Sequence, residues 1–171
     1  MPPRAPLFTA ASAATVLLAA CAGLTTTSRS GSVGDTLSVG GLHVTVSRVD
    51  RKVPRHRGTD YSGLGTPSAG ARFVGVRVRV CNDRDQAIGP YDFALKLDGG
   101  DKARLRFPQT AYGDGFESQR SGCGSGWIVF EAPTRSRPDT VTFKYDDTGS
   151  SRPGQNHTEK HARFRWDASP G

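Results

Sequence analysis

Three cysteines carry the most reactive side chains of the sequence, and the first of them ends an apolar leader. Residues 1–20 hold one cation, Arg4, and then an uncharged, alanine-rich stretch that suits a signal peptide and is short for a membrane-spanning helix. A branched apolar residue and two small residues (Leu18-Ala19-Ala20) precede Cys21, as a lipobox requires. The alternative is an ordinary secretory signal with a chance cysteine. We expect a diacylglycerol on the Cys21 thiol and cleavage before it.

Cys81 and Cys123 remain after this assignment. Outside the cytoplasm such a pair is expected to oxidise to a disulfide, which would close a loop of about 40 residues. In the chain-entropy model this closure stabilises the fold by about 4 kcal/mol. Two alternatives are weaker, because zinc would need further ligands at suitable spacing and a redox thiol would need a C-x-x-C motif.

Positive charge is concentrated between residues 48 and 57. The candidate anion-binding residues there are Arg51, Lys52, Arg55 and Arg57. The loop is close in sequence to the predicted anchor, so it could face lipid headgroups. The alternative is a solvated loop, because surface arginine contacts are weak and screened by salt.

Other residues could in principle support catalysis or metal binding. His157 and His161 have the spacing of two metal ligands on one helical turn, but Pro153 and Gly154 disfavour a helix there. Three acidic pairs lie in turns, where aspartate is chosen for backbone hydrogen bonding: Asp83/Asp85, Asp98/Asp101 and Asp146/Asp147. The usual hydrolase, metalloprotease, phosphate-loop and dinucleotide motifs are absent. We therefore expect no catalytic residue, no metal and no cofactor.

Composition supports an exported, basic, turn-rich domain. The 171 residues include 21 glycines and 11 prolines, and the formal net charge is +7. A basic exported domain would be attracted to anionic lipids, acidic wall polymers or acidic proteins. Nucleic acid is not expected as a partner, because the chain is exported and carries no nucleic-acid-binding motif.

Apolar residues recur with period two through most of the mature chain, which predicts β-strands. Residues 73–80 place four valines on one face and Arg77 and Arg79 on the other. Residues 127–130 are apolar on both faces and predict a central strand. Asp98-Gly99-Gly100-Asp101 predicts a hairpin whose return strand holds Leu105 and Phe107. These patterns predict an all-β protein, a β-sandwich of about seven to nine short antiparallel strands.

Several segments resemble a known family. They are Val33-Gly34-Asp35-Thr36, residues 41–46, 72–82, 93–98, 122–133 and 141–145. Together they are similar to the bacterial immunoglobulin-like lipoprotein domain of unknown function, which is often mislabelled telomeric-repeat-binding-factor-like. The resemblance covers about residues 33–147 and implies an immunoglobulin-like sandwich on secreted or lipidated proteins, including a secreted mycobacterial immunogenic protein. It implies no catalytic residue set.

The expected organisation is a signal peptide at 1–20, a flexible tether at 21–32, the sandwich at 33–147, and a polar linker with a short last strand at 148–171. We expect a lipid-anchored protein on the extracytoplasmic face of the cell membrane. It would act as a non-catalytic binding or interaction module whose partner is an envelope protein or an anionic polymer. The alternatives are a structural or stress-related lipoprotein without a specific ligand, and an envelope enzyme.

Overall fold

The computed structural model describes residues 26–51, 53, 64–84, 86–106, 115–146 and 161–169. These residues form nine strands and a short 3₁₀ helix, Pro90–Asp92. The strands are β1 Thr26–Ser32, β2 Thr36–Val39, β3 Leu42–Asp50, β4 Ala71–Asn82, β5 Phe93–Leu97, β6 Arg104–Leu105, β7 Gly122–Pro133, β8 Pro138–Asp146 and β9 His161–Asp167. Sheet A has the order β1-β9-β8-β5, and sheet B has the order β2-β3-β4-β7-β6. The predicted β-sandwich is confirmed.

Alternating apolar residues build the core between the two sheets. Sheet B contributes the valines of β4, which are all buried, and sheet A contributes five aromatic side chains: Phe93, Phe143, Tyr145, Phe164 and Trp166. The Phe143 and Phe164 ring centroids lie 5.6 Å apart, and those of Phe164 and Trp166 lie 6.0 Å apart. Trp166 donates its indole N–H to the Asp35 carbonyl at 3.0 Å, which joins β9 to the segment before β2.

A second, smaller apolar cluster lies on the outer face of sheet B. Trp127 and Val129 of β7 pack there against Leu64, so β7 is buried on both faces, as its sequence predicts. Glu131 holds the segment that contains Leu64 and Ser68 against the sheet. Its carboxylate accepts the Ser68 N–H at 2.5 Å and lies 3.3 Å from Arg106. Residues 64–70, which come just before β4, therefore lie against the sheet.

Two boundaries of the sandwich differ from the prediction. Thr26–Ser32, expected as part of a flexible tether, forms β1. It pairs with β9, and this pairing is parallel whereas the other pairings between strands are antiparallel. Strand β9 is not an appendage either, because Phe164 and Trp166 are buried in the main core. The period-two signal of β1 is weak, since its residues are small and polar and it lies at a sheet edge. The strands are also not uniformly short, since β4 and β7 have 12 residues each.

The predicted hairpin at 98–101 forms only locally. Lys96 and Lys102 form an isolated antiparallel bridge across the turn. The chain then crosses to the other sheet, where Leu105 pairs with Phe130 of β7 in β6. The prediction of a return strand beside β5 was wrong, because turn residues define the turn but not the sheet that the chain enters next. Phe107 lies outside the described residues.

Candidate anion-binding groove

Sheet A directs several cations away from the core. Phe143 and Phe164 point inward, so their neighbours in β8 and β9 point outward. The cations on this face are Arg29 of β1, Lys96 of β5, Lys102 just after it, Lys144 of β8, and Arg163 and Arg165 of β9. They line an open groove of about 630 Å³, which we call the basic groove.

The sheet register explains the concave shape of the groove. Thr142 lies between Ala94 of β5 and Arg165 of β9, so small side chains occupy the middle of the face. Lys144 lies directly opposite Arg163, one step along the strands. Long cationic side chains therefore surround a floor of small ones.

Asp146 balances the cations at one end of the groove. Its carboxylate lies 2.6 Å from the Lys144 ammonium and 2.7 Å from the Arg163 guanidinium, and it contacts His161 at 2.9 Å. The hydrogen bond from Lys144, followed by those from His161 and Arg163, holds the pKa of Asp146 well below its usual range. Asp146 is thus ionised at neutral pH and offsets part of the positive charge at this end.

Lys96 and Lys102 provide charge at the other end that is not offset in this way. Neither lysine forms an ion pair with a described residue. Arg165 donates to the Thr140 hydroxyl at 3.1 Å, and its charge also acts on the nearby Asp167 carboxylate. An anion beside Lys96 and Lys102 would therefore gain attraction without breaking an ion pair between described residues.

The 3₁₀ helix forms one margin of the groove. Tyr91 is 79% exposed and is the one large hydrophobic residue of the described chain that is exposed. Asp92 accepts the Gly89 N–H at 2.7 Å. Burial raises the pKa of Asp92, and the nearby charge of Asp146 adds to this effect. The margin thus combines an exposed aromatic ring with a carboxyl that loses its proton less readily than usual.

The family of the chain can now be stated. Residues 31–153 match a family described as a domain of unknown function (DUF4352). The chain belongs to the DUF4352 family. The match agrees with the resemblance to a domain of unknown function over nearly the same residues, and nothing supports the telomeric-repeat label.

Two solved structures are similar to this DUF4352 chain. A secreted protein of Mycobacterium tuberculosis, MPT63, is 18% identical over 82% of this chain and 98% of its own, with a TM-score of 0.50. A candidate lipoprotein of Bacillus subtilis, ycdA, is 16% identical over 77% of this chain, with a TM-score of 0.46. The DUF4352 chain spans 38% of the length of ycdA. No curated protein sequence matches the chain significantly.

Cys81 and Cys123 are joined by a disulfide. The two residues lie directly opposite each other in β4 and β7, so the bond staples neighbouring strands of sheet B and not the two sheets. Cys21, the predicted lipidation site, lies outside the described residues.

Of the predicted anion-binding loop, Arg51 is described and exposed, while Lys52, Arg55 and Arg57 lie outside the described residues. Arg51 follows Asp50, which pairs with Gly75, whereas Leu42 at the other end of β3 pairs with Asn82. Strand β3 has nine residues and therefore carries the chain about 27 Å away from the turn at Gly40.

That turn lies at the end of the sandwich where β1 begins. Arg84 donates to the Gly40 carbonyl at 2.9 Å and stacks 4.9 Å from the Tyr145 ring, and Tyr145 pairs with Ala162 near the start of β9. The start of β9 in turn pairs with the start of β1 at Thr26. Closeness in sequence to Cys21 therefore does not bring Arg51 to the end of the sandwich nearest the predicted anchor.

His161 does not form the helical pair considered from its spacing. It is the first residue of β9 and contacts Asp146, while His157 lies outside the described residues. Among the described residues, no group of three or more His, Cys, Asp or Glu side chains could hold a metal ion. Asp98 acts as a turn residue, since its carboxylate accepts the Arg137 N–H at 2.6 Å.

The basic groove was missed because its residues come from four separate strands, β1, β5, β8 and β9. Lys96, Lys144 and Arg163 each appear in the sequence as the polar partner of an alternating strand, which is typical of a solvated face. Their convergence depends on the order β9-β8-β5, which the sequence pattern does not define. The available signal was the sign of the charges, because β5 and β9 both alternate apolar residues with cations.

Proposed function

We propose that this protein is a membrane-anchored, extracytoplasmic, non-catalytic binding module whose basic groove takes an anionic ligand. The observation that carries the proposal is the groove itself, in which Lys96 and Lys102 form no ion pair with a described residue. Cations on the rigid strands of a sheet lose less conformational freedom on binding than cations on a loop.

Two features support the location. The leader ending at Cys21 has the length and the final residues of a lipoprotein signal peptide. The Cys81–Cys123 disulfide is of the kind that persists in oxidising compartments. Within the described residues, no helix has the length and apolar character needed to cross a bilayer. Lipidation at Cys21 would then be the attachment to the membrane.

The anchor is tested by changing Cys21→Ala. We expect the variant to leave the membrane fraction, because no diacylglycerol can be added to alanine. The Cys81→Ser/Cys123→Ser double variant, which loses two thiols but keeps the lipobox, is the matched control and should stay in that fraction. Retention of the Cys21 variant in the membrane fraction would contradict the anchor.

The binding role is tested by photo-crosslinking in cells, with a photoreactive phenylalanine analogue at Tyr91. We expect one saturable crosslinked product that weakens when Lys102 is replaced by glutamate. The same probe at Arg79, on the outer face of sheet B, should not give that product. Indistinguishable results from the two positions would instead favour a structural envelope lipoprotein without a specific ligand.

A further inference from the structure

We infer that the anionic partner of the basic groove is the headgroup surface of the membrane that carries the anchor, so that sheet A lies against the bilayer. The inference rests on the proposed lipidation of Cys21. Three separate observations point to it: the length of chain before β1, the position of β1 in sheet A, and the composition of the groove.

The short spacing between Cys21 and β1 keeps sheet A close to the bilayer. Thr26, the first residue of β1, is five positions after Cys21, and a fully extended chain of that length spans at most about 17 Å. Among the described strands, β1 lies at the edge of sheet A and pairs with β9. A lipid on Cys21 would therefore keep this edge of sheet A within about 17 Å of the headgroups.

The outer face of sheet A has the chemistry of a membrane-contacting surface. Its cations would be attracted to anionic headgroups, and each lysine or arginine near such a surface strengthens binding by about fivefold. Tyr91, at the margin of the groove, presents an exposed aromatic ring with a polar tip, the kind of side chain that is enriched at membrane interfaces. Apolar and ionic contacts would thus be made by the same face.

The opposite face of the sandwich provides an internal comparison. Sheet B also exposes cations, including Arg79, but it packs about 10 Å behind sheet A and points the other way. If net charge alone attracted the domain to lipid, both faces would contribute equally. Docking through sheet A predicts instead that the cations of sheet A contribute to the attraction to lipid and that those of sheet B do not.

The test uses the mature lipoprotein, reconstituted through its own lipid into phosphatidylcholine vesicles with or without phosphatidylglycerol. Tyr91→Trp supplies an exposed reporter indole, since Trp127 and Trp166 are both buried. Brominated lipids quench an indole that touches the bilayer. We expect the reporter indole to be quenched in the phosphatidylglycerol vesicles, not in pure phosphatidylcholine, and less strongly as salt rises, because salt screens the attraction.

The matched variants are Lys102→Glu on sheet A and Arg79→Glu on sheet B, which change the net charge equally. Lys102→Glu should lower the docking equilibrium constant by about 25-fold, the effect of two unit charges. Arg79→Glu should leave it unchanged. Near-ultraviolet circular dichroism checks that both variants are folded. Quenching that is equal with and without phosphatidylglycerol, or that falls equally in both variants, would overturn the inference.

A second titration separates this inference from the proposed function. Inorganic polyphosphate is added to the lipoprotein in pure phosphatidylcholine vesicles, and the emission of the reporter indole is followed. Suppose that the lipoprotein does not dock to phosphatidylglycerol vesicles but binds polyphosphate, and that Lys102→Glu abolishes this binding. The groove would then be assigned to a soluble anionic polymer, and the membrane inference alone would be overturned. If the lipoprotein neither docks to phosphatidylglycerol vesicles nor binds polyphosphate, the proposed anion-binding function would be contradicted as well.

Discussion

At the scale of single residues, Asn82 organises the end of the sandwich that holds the disulfide. Its side chain is fully buried and donates to the Gln86 carbonyl at 2.8 Å and to the Gln119 carbonyl at 3.1 Å. Its amide oxygen accepts the Arg84 N–H at 3.0 Å. One side chain thus satisfies backbone groups from the loop after β4 and from the segment before β7.

Asn82→Ala should lower the free energy of unfolding by about 3 kcal/mol, because it leaves buried backbone groups without partners. Urea denaturation measures the loss. Ser38→Ala is the control, since it removes an exposed hydrogen bond to His43 of 2.7 Å and should change stability by at most about 0.5 kcal/mol. A loss in the Asn82 variant no larger than in the control would contradict this role.

The pKa values of Asp146 and Asp92 are shifted in opposite directions, so the two residues should affect the pH dependence of stability in opposite ways. The pKa of Asp146 is lowered in the folded protein, chiefly by the hydrogen bond from Lys144. Its stabilisation is therefore complete well above its unfolded pKa, about 3.9, and is lost as the pH falls toward the folded value. Burial raises the pKa of Asp92 instead, so its ionisation costs stability as the pH rises through the folded value.

Thermal melts from about pH 3 to about pH 7 test this pair, because free aspartate and glutamate side chains titrate at about pH 4. Asp146→Asn should melt below the wild type at neutral pH, and the difference should shrink in acid. Asp92→Asn should melt above the wild type at neutral pH, because its amide oxygen can still accept the Gly89 N–H without a charge to bury. Parallel profiles for the two variants would contradict the assignment.

At the scale of elements, the glycine-rich start of β7 lets a neighbouring segment approach the strand closely. Phe116 donates its N–H to the Trp127 carbonyl at 2.8 Å, and Gly115 bridges Trp127 in parallel. A Cβ at position 126 would lie only 2.5 Å from the Phe116 nitrogen, whereas a Cβ at Gly124 would meet only the end of the Gln119 side chain. The two glycines should therefore differ in tolerance.

Gly126→Ala should lower the free energy of unfolding by about 1–3 kcal/mol, because the backbone at Phe116 must move to relieve overpacking. Gly124→Ala is the matched control and should cost much less, since a flexible amide can rotate away. Chemical denaturation of both variants gives the comparison. Equal losses would show that the close approach at position 126 does not determine the effect.

The elements also show what the sequence could and could not predict. Strands with strong alternation, such as β4, were predictable because their valines can be buried on one face only. The turn at Gly40 and Gly41 was predictable because it requires positive φ, here 43° and 78°. Strand β1 was not, because its residues have no apolar face and it is held by backbone pairing to β9, more than 130 positions later. The basic groove also depends on pairings between strands, those of β9 with β8 and of β8 with β5.

At the scale of the whole molecule, the sandwich separates two basic regions. The described part of the 51–57 loop leaves β3 far from the start of β1, whereas the basic groove lies on the sheet that β1 borders. A lipid at Cys21 would therefore give the groove and Arg51 different surroundings, with the groove toward the bilayer and Arg51 away from it. Closeness in sequence to the anchor suggests that the loop faces the headgroups. This expectation does not take into account that β3 leads the chain away from the start of β1.

The disulfide should contribute to the stability of the whole domain and not only to its local geometry. Cys81 and Cys123 are separated by 42 positions, and closing a loop of that size stabilises the fold by about 4 kcal/mol in the chain-entropy model. For a domain of this size, that corresponds to a decrease in melting temperature of about 10 °C on reduction. Calorimetry of the native and reduced protein measures the difference. A Cys81→Ala/Cys123→Ala variant should match the reduced protein and be insensitive to reductant. An unchanged melt on reduction, or two free thiols in the native protein, would contradict a stabilising bond and would weaken the case for an oxidising compartment.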